Sequence, residues 1–284
     1  MSEMTSNNKR TRPFEPPMLK GNELLARWEI NQTSLPPDFH SLLSPDISES
    51  RRGDLFELED EEAQEKYAWA IPNEKALMAI SEFAPIIEMG AGAGYWARLL
   101  RDRGVEIEAY DCDVGENTQA AGVMSPPWTV VNQGGPEVLV DAFEDSALLM
   151  IYPDDLTFGG AKVQEASQEQ SLSLSSLLNY TGDTVIHVGE LLGDTKVLSM
   201  EGQEDADTPY AWGRSTNPEF QMVLQASFHK VLQLPLPNWG VASNCLTIWK
   251  RTTTTVLEGD RYGYVPPQEQ LNLAMACPST AHLL

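Results

Sequence analysis

Three glycines alternate at positions 90, 92 and 94, in the string Glu88-Met89-Gly90-Ala91-Gly92-Ala93-Gly94. Glycine adopts backbone conformations that other residues resist, and it leaves no side chain between the main chain and a bound group. Where such a loop joins a strand to a helix, the free N–H groups of the helix start face the ligand. The chemistry on offer is the binding of a nucleotide or nucleoside by its polar portion. In an open α/β sheet that ligand belongs at the carboxyl ends of the strands, where this loop falls.

The flanking residues supply the elements that the loop requires. Ile86–Met89 is a short apolar run that reads as a buried parallel strand. Tyr95 to Arg103 reads as a helix, with Trp96, Leu99 and Leu100 spaced to face a core and Gly104 as its stop. Val105 to Tyr110 is a second strand, which completes a strand–loop–helix–strand unit. Upstream, Asn73 is a natural cap for a helix through Glu74–Phe83. The segment 55–70, acidic in its first half, reads as another helix. The stretch from Gly21 to about Asp46 mixes short apolar runs at Leu24, Leu25 and Trp28 with turn signals at Pro36, Pro37 and Pro45.

Downstream, Thr129–Val131 reads as a third strand, Ala147–Tyr152 as a fourth and Thr184–Val188 as a fifth. Helices are expected over Leu172–Asn179 and Glu219–Phe228. The runs VLQLPLP and CLTIWK form two late strands, joined through Asn238, Trp239 and Gly240. Residues 190–218 are polar and read as a long loop. This alternation predicts an α/β fold: a doubly wound, mostly parallel sheet with an N-terminal helical extension. The domain reading is a disordered tail over 1–19, an N-terminal extension or cap over 20–72, the α/β domain over 73–255 and a C-terminal tail over 256–284.

Dinucleotide binders of the G-x-G-x-x-G type place a glycine where this chain has Tyr95. The string here is acid-x-G-x-G-x-G, which resembles motif I of the class I S-adenosylmethionine-dependent methyltransferases. The resemblance is carried by the glycine loop and by the stretch from Leu77 to Asp113, and extends by strand order to about Arg251. It implies a seven-stranded sheet and S-adenosyl-L-methionine as cofactor. Gly90, Gly92 and Gly94 would pack under the methionine and ribose portions, and Glu88 would orient the loop from below. Asp111 matches the acid that binds both ribose hydroxyls, since a carboxylate accepts two hydrogen bonds from a vicinal diol; Asp113 is the alternative. The loop after the third strand, with Asn132 and Gln133, would lie near the adenine. Tyr67 and Trp69 would cover the cofactor, and Tyr152 would border it. Asp154 and Glu190, after the fourth and fifth strands, are the candidate catalytic groups, with Asp155, His187, Trp212 and Arg214 as further candidates at the acceptor side. Members of the family that act on base or glutamine amines carry Asn/Asp-Pro-Pro-Tyr after the fourth strand. Here that place reads Tyr152-Pro153-Asp154-Asp155, which departs from the pattern.

Composition narrows the partners. Nineteen Lys and Arg against forty-two Asp and Glu give a net charge of −23. Such a surface repels phosphate backbones and anionic membranes, so nucleic acid and membrane are not expected partners, and a small-molecule acceptor is. The charge mildly favours an amine. Cys112, Cys245 and Cys277 form no metal or disulfide pattern, and a cytoplasmic setting is expected. No metal is expected. Two other readings stay open: a non-catalytic binding protein that keeps the fold, and a nucleotide-dependent oxidoreductase, against which the early third glycine counts.

Overall fold

The computed structural model describes residues 21–35, 60–114, 118–120, 123–154, 171–191, 215–239, 242, 244–252 and 277–284. The expected tail over 1–19 lies outside these residues, as do Asp155, Trp212, Arg214 and most of the long loop.

Hydrophobic runs form the strands. β1 (Ile86–Met89), β2 (Ile107–Asp111), a hairpin of β3 (Thr118–Ala120) and β4 (Val123–Ser125), β5 (Asn132–Gln133), β6 (Ala147–Ile151), β7 (Thr184–Gly189), β8 (Phe228–Pro235) and β9 (Cys245–Arg251) follow in chain order. Seven of them build one sheet in the order β5-β2-β1-β6-β7-β9-β8. The first five in that order pair in parallel, and β9 runs antiparallel to both β7 and β8. Every residue of β1, β6 and β7 is buried, which is the mark of strands covered on both faces.

The helices supply that cover. α1 (Glu23–Ser34), α2 (Glu61–Lys66), α3 (Glu74–Ser81) and α4 (Tyr95–Arg101) lie on one face, where Leu24, Ala63, Leu77, Ile80 and Trp96 join Ile86, Leu149 and Ile186 in one core. α5 (Leu172–Asn179) and α6 (Pro218–Ser227) cover the other face, where Leu174, Leu177, Phe220 and Leu224 pack with Ile87, Met89 and Val185. The two faces of β1 alternate with period two, so Glu88 shares the first face with Ile86. Asn73 caps α3 as expected, its side chain accepting from the Ala76 N–H. No helix among the described residues is long and apolar enough to cross a membrane.

Several expectations need correction. The third strand of the sheet is Asn132–Gln133 and not Thr129–Val131. The Arg101 guanidinium occupies the Thr129 hydroxyl and the Val130 carbonyl, so that stretch braces α4 and cannot join the ladder. Asn132 is therefore a strand residue beside Tyr110. The helix expected over 55–70 is, among described residues, only Glu61–Lys66, capped by Asp60. Its aromatic end leaves the helix because Tyr67 and Trp69 are held by rings elsewhere in the fold. The segment after Gly21 contains α1, capped by Asn22. Within residues 277–284 the Cys277 N–H donates to the Val231 carbonyl of β8 at 3.0 Å, a contact that leaves the expected tail over 256–284 as it stands.

Candidate active site

The glycine turn leaves β1 at the carboxyl edge of the sheet and enters α4. Gly90, Gly92 and Gly94 have φ of 74°, 53° and 77°, a region that side chains disfavour. Each glycine serves a different need. The Leu172 side chain occupies the place of a Cβ at Gly90. At Gly94 a Cβ would stand 2.8 Å from Val131 Cγ2 and 3.0 Å from Thr129 Cγ2. At Gly92 no atom of the described residues lies within 4 Å of that point. Two glycines thus admit neighbouring protein, and the third faces open space.

The turn is tied to β2. The Gly90 and Ala91 N–H groups both donate to the Tyr110 carbonyl, at 2.9 and 3.0 Å. Asp111 Oδ2 accepts from the Gly92 N–H at 2.8 Å, and Oδ1 accepts from the Asp113 N–H at 3.0 Å. The half-buried Asp111 carboxylate therefore sits beside the open glycine, with lone pairs to spare. Beneath the turn, Glu88 is 2% exposed and its Oε2 has no hydrogen-bond partner among the described residues. Burial pushes its carboxyl up to about 8; the Asp111 charge adds to the rise and Arg101 opposes it.

An aromatic wall stands over the α4 side. Tyr67 stacks on Trp128 with centroids 5.2 Å apart and meets Tyr95 edge-on at 5.2 Å, and its hydroxyl donates to Glu23 at 2.9 Å. Trp128 links this wall to the glycine turn: its backbone N–H donates to the Ala93 carbonyl at 2.7 Å, and its indole N–H donates to the Lys66 carbonyl. Trp69 stacks on Tyr152 at 5.6 Å. Tyr152 follows β6 with φ of 48°, an uncommon conformation for a bulky residue and one that concentrates at functional sites.

The acceptor-side candidates separate. Glu190 follows β7 and is 1% exposed, about 10 Å across the sheet from β1 by strand spacing. Asp154 follows β6, and its carboxylate is engaged with the start of α5 through Ser171, Leu172 and Ser173. His187 lies inside β7, fully buried, with burial pushing its imidazole down to about 3 and Nδ1 lacking a partner among the described residues. It is neutral at physiological pH. Ser215, a lone serine in a polar stretch with no motif around it, closes this corner. Its hydroxyl accepts from the Glu190 N–H at 2.9 Å and donates to the Glu190 carbonyl at 3.1 Å. Gly189 permits this contact, because a Cβ there would collide with the Ser215 side chain.

The structure thus gathers Glu88, the three glycines, Asp111 and Asn132 around one turn, with Tyr67 and Tyr152 on its flanks. A separate cleft of about 410 Å³, lined by Phe83, Val231, Lys250 and Leu283, lies at the opposite end of the sheet and contains none of these residues.

No known family model matches the sequence, and no curated protein matches it. Similar folds are found among solved structures. The glycopeptide N-methyltransferase MtfA, crystallised with S-adenosyl-L-methionine, is 13% identical over 66% of this chain and 96% of its own, with a TM-score of 0.34. The 1,6-didemethyltoxoflavin-N1-methyltransferase of Burkholderia thailandensis is 12% identical over 84% and 93%, with a TM-score of 0.36. The magnesium protoporphyrin IX methyltransferase of Synechocystis PCC 6803 is 11% identical over 81% and 99%, with a TM-score of 0.36. The fold follows from the strand order, independently of these superpositions. With β9 inserted antiparallel between β7 and β8 at one end of a parallel sheet, the chain has a seven-stranded, mostly parallel, doubly wound α/β fold.

Proposed function

We propose that this protein is an S-adenosylmethionine-dependent methyltransferase that acts on a small molecule. The observation that carries the proposal is the junction of Gly92 and Asp111: an open glycine, with a carboxylate hydrogen-bonded to its N–H, at the carboxyl edge of the sheet. The residues fit a sulfonium nucleoside. Asp111 offers acceptors to a ribose diol. Glu88 holds a buried oxygen that lacks a hydrogen-bond partner among the described residues. Asn132, the register partner of Tyr110 next to Asp111 on β2, would lie near the adenine. Tyr67 and Tyr152 bound the cradle on either side.

Bound there, the cofactor would supply an electrophilic methyl group to an acceptor lone pair, with neutral S-adenosylhomocysteine as the leaving group. The chain's own residues align the two partners and exclude water, and alignment of this kind is worth up to about 7–11 kcal/mol. Glu190, which follows β7, would take a proton from the acceptor. An amine acceptor needs that help only after transfer, whereas a hydroxyl needs it before. The net charge of −23 favours cationic or amine acceptors over anionic ones, and disfavours nucleic acid and anionic membrane surfaces.

Incubation with methyl-labelled cofactor and a panel of small amines, alcohols and thiols tests this reading. Label is expected in an amine. Faster transfer to neutral or anionic compounds would remove the preference for amines. Cofactor binding with no transfer to any compound would favour a binding protein that keeps the fold.

A further inference from the structure

Asp154 was a natural candidate for a base, yet its hydrogen bonds leave no room for that work. Oδ1 accepts from the Leu172 N–H at 2.9 Å and the Ser173 N–H at 3.4 Å. Oδ2 accepts from the Ser171 hydroxyl at 3.1 Å and the Ser173 hydroxyl at 2.5 Å. A carboxylate has about four lone-pair positions, and all are taken. Burial raises its pKa, and the hydrogen bonds from Ser173, Ser171 and Leu172 oppose that rise.

The residue that these bonds fix is Leu172. Its side chain fills the place of a Cβ at Gly90, the first glycine of the turn. Gly90 is therefore held from two sides: from β2 by the bond of its N–H to the Tyr110 carbonyl, and from α5 by Leu172. Asp154 is itself anchored, since its N–H donates to the Ser215 carbonyl at 3.0 Å and the Ser215 hydroxyl is clasped to Glu190. A continuous set of contacts runs from Glu190 through Ser215, Asp154 and Leu172 to Gly90.

We propose that Asp154 is a positioning residue for the cofactor turn: by fixing the start of α5 it seats Leu172 against Gly90, and so sets the affinity for a nucleoside that its carboxylate never touches. This inference rests on reading the turn as a cofactor cradle. It assigns no bond-making role to Asp154. It makes the acceptor-side corner and the cofactor turn parts of one mechanical unit.

Calorimetric titration with S-adenosylhomocysteine tests it on wild type, Asp154→Ala, Asp154→Asn and Leu172→Ala, with Thr280→Ala as a control. Asp154→Ala and Leu172→Ala are each expected to weaken binding on the order of tenfold, the equivalent of one lost helix cap. Asp154→Asn, which keeps an oxygen for the Leu172 and Ser173 N–H groups, is expected to restore most of the affinity. Thr280→Ala breaks a buried bond to Val231 in the last turn of the chain, so it lowers Tm without changing affinity. Amide exchange is the second readout. The Gly90 and Ala91 amides exchange faster in Asp154→Ala than in wild type, and do not in Thr280→Ala. Unchanged affinity in both Asp154→Ala and Leu172→Ala overturns the inference. If wild type binds no S-adenosylhomocysteine, the cofactor reading fails, and exchange at Gly90 and Ala91 still decides the coupling: faster exchange supports it and equal exchange overturns it. If Asp154→Ala does not fold, Leu172→Ala and Asp154→Asn carry the same comparison.

Discussion

The Asp111 carboxylate accepts the Gly92 N–H at 2.8 Å, so one side chain of β2 both shapes the glycine turn and faces the open ground above it. On the proposed reading, the carboxylate that shapes the turn would also grip the sugar of the cofactor. This relationship separates the effects of substitutions that a motif alone would treat as alike.

Gly92 and Gly94 differ in what they protect. Gly92→Ala meets no described atom, so it costs the fold only the strain of φ 53°, about 1–2 kcal/mol. Its methyl group points into the cradle, and S-adenosylhomocysteine binding should be lost from a folded protein. Gly94→Ala drives a methyl group against Val131 and Thr129 and adds the strain of φ 77°, so it should lower stability by roughly 2–4 kcal/mol. Paired thermal unfolding and calorimetry distinguish the two. Equal stability losses would show that the open ground at Gly92 is not real.

Glu88 should leave a mark on the pH dependence of stability. Burial raises its folded pKa to about 8, while the unfolded chain ionises in the ordinary carboxylate range. The folded state therefore favours the neutral carboxyl. Its contribution is complete below the unfolded pKa and is lost as pH rises through about 8. Wild type should lose stability on the order of a few kcal/mol across that window relative to Glu88→Gln. Unfolding midpoints of both proteins between roughly pH 5 and 9 check this. A constant gap between them would mean that Glu88 ionises normally.

The N-terminal helix hangs on a phenol. The Tyr95 hydroxyl, at the start of α4, accepts from the Leu24 N–H at 3.0 Å and donates to Asn22 Oδ1 at 3.1 Å. Tyr95→Phe leaves the buried Leu24 N–H unpaired, at a cost of about 1–3 kcal/mol. Amide exchange should accelerate in α1 and stay unchanged in β6. Acceleration spread evenly over both would indicate general destabilisation instead.

The sheet was legible in the sequence because its strands are nearly pure hydrophobic runs. Ala147–Ile151 and Thr184–Gly189 are buried at every position, and no other element suits such segments. The glycine turn was legible because three positive φ angles demanded three glycines. Asn132–Gln133 was misplaced because a two-residue edge strand has no periodicity to detect, and because Arg101 removes its more hydrophobic neighbours from the ladder. The helix after Gly21 had a cap in Asn22, but its apolar stripe is thin and only Leu24 is buried. Asp154 follows β6 at the sheet edge, where its hydrogen bonds to the start of α5 leave no trace in the sequence. Its partners Ser171 and Ser173 lie beyond the segment 155–170, and hydroxyl spacing across such a gap carries no signal. Trp128 was missed for the same reason: its bond to Ala93 and its stack on Tyr67 join parts of the chain that no local pattern connects.

The central claim is that the turn from Glu88 to Gly94, braced by Asp111, binds a sulfonium nucleoside through its sugar. Calorimetric titration of S-adenosylhomocysteine into wild type and Asp111→Ala tests it most directly. Wild type should bind with one site, and the loss of charge-assisted hydrogen bonds should weaken the variant by at least about tenfold. Equal affinity in the two proteins, or no binding heat in wild type, would contradict it.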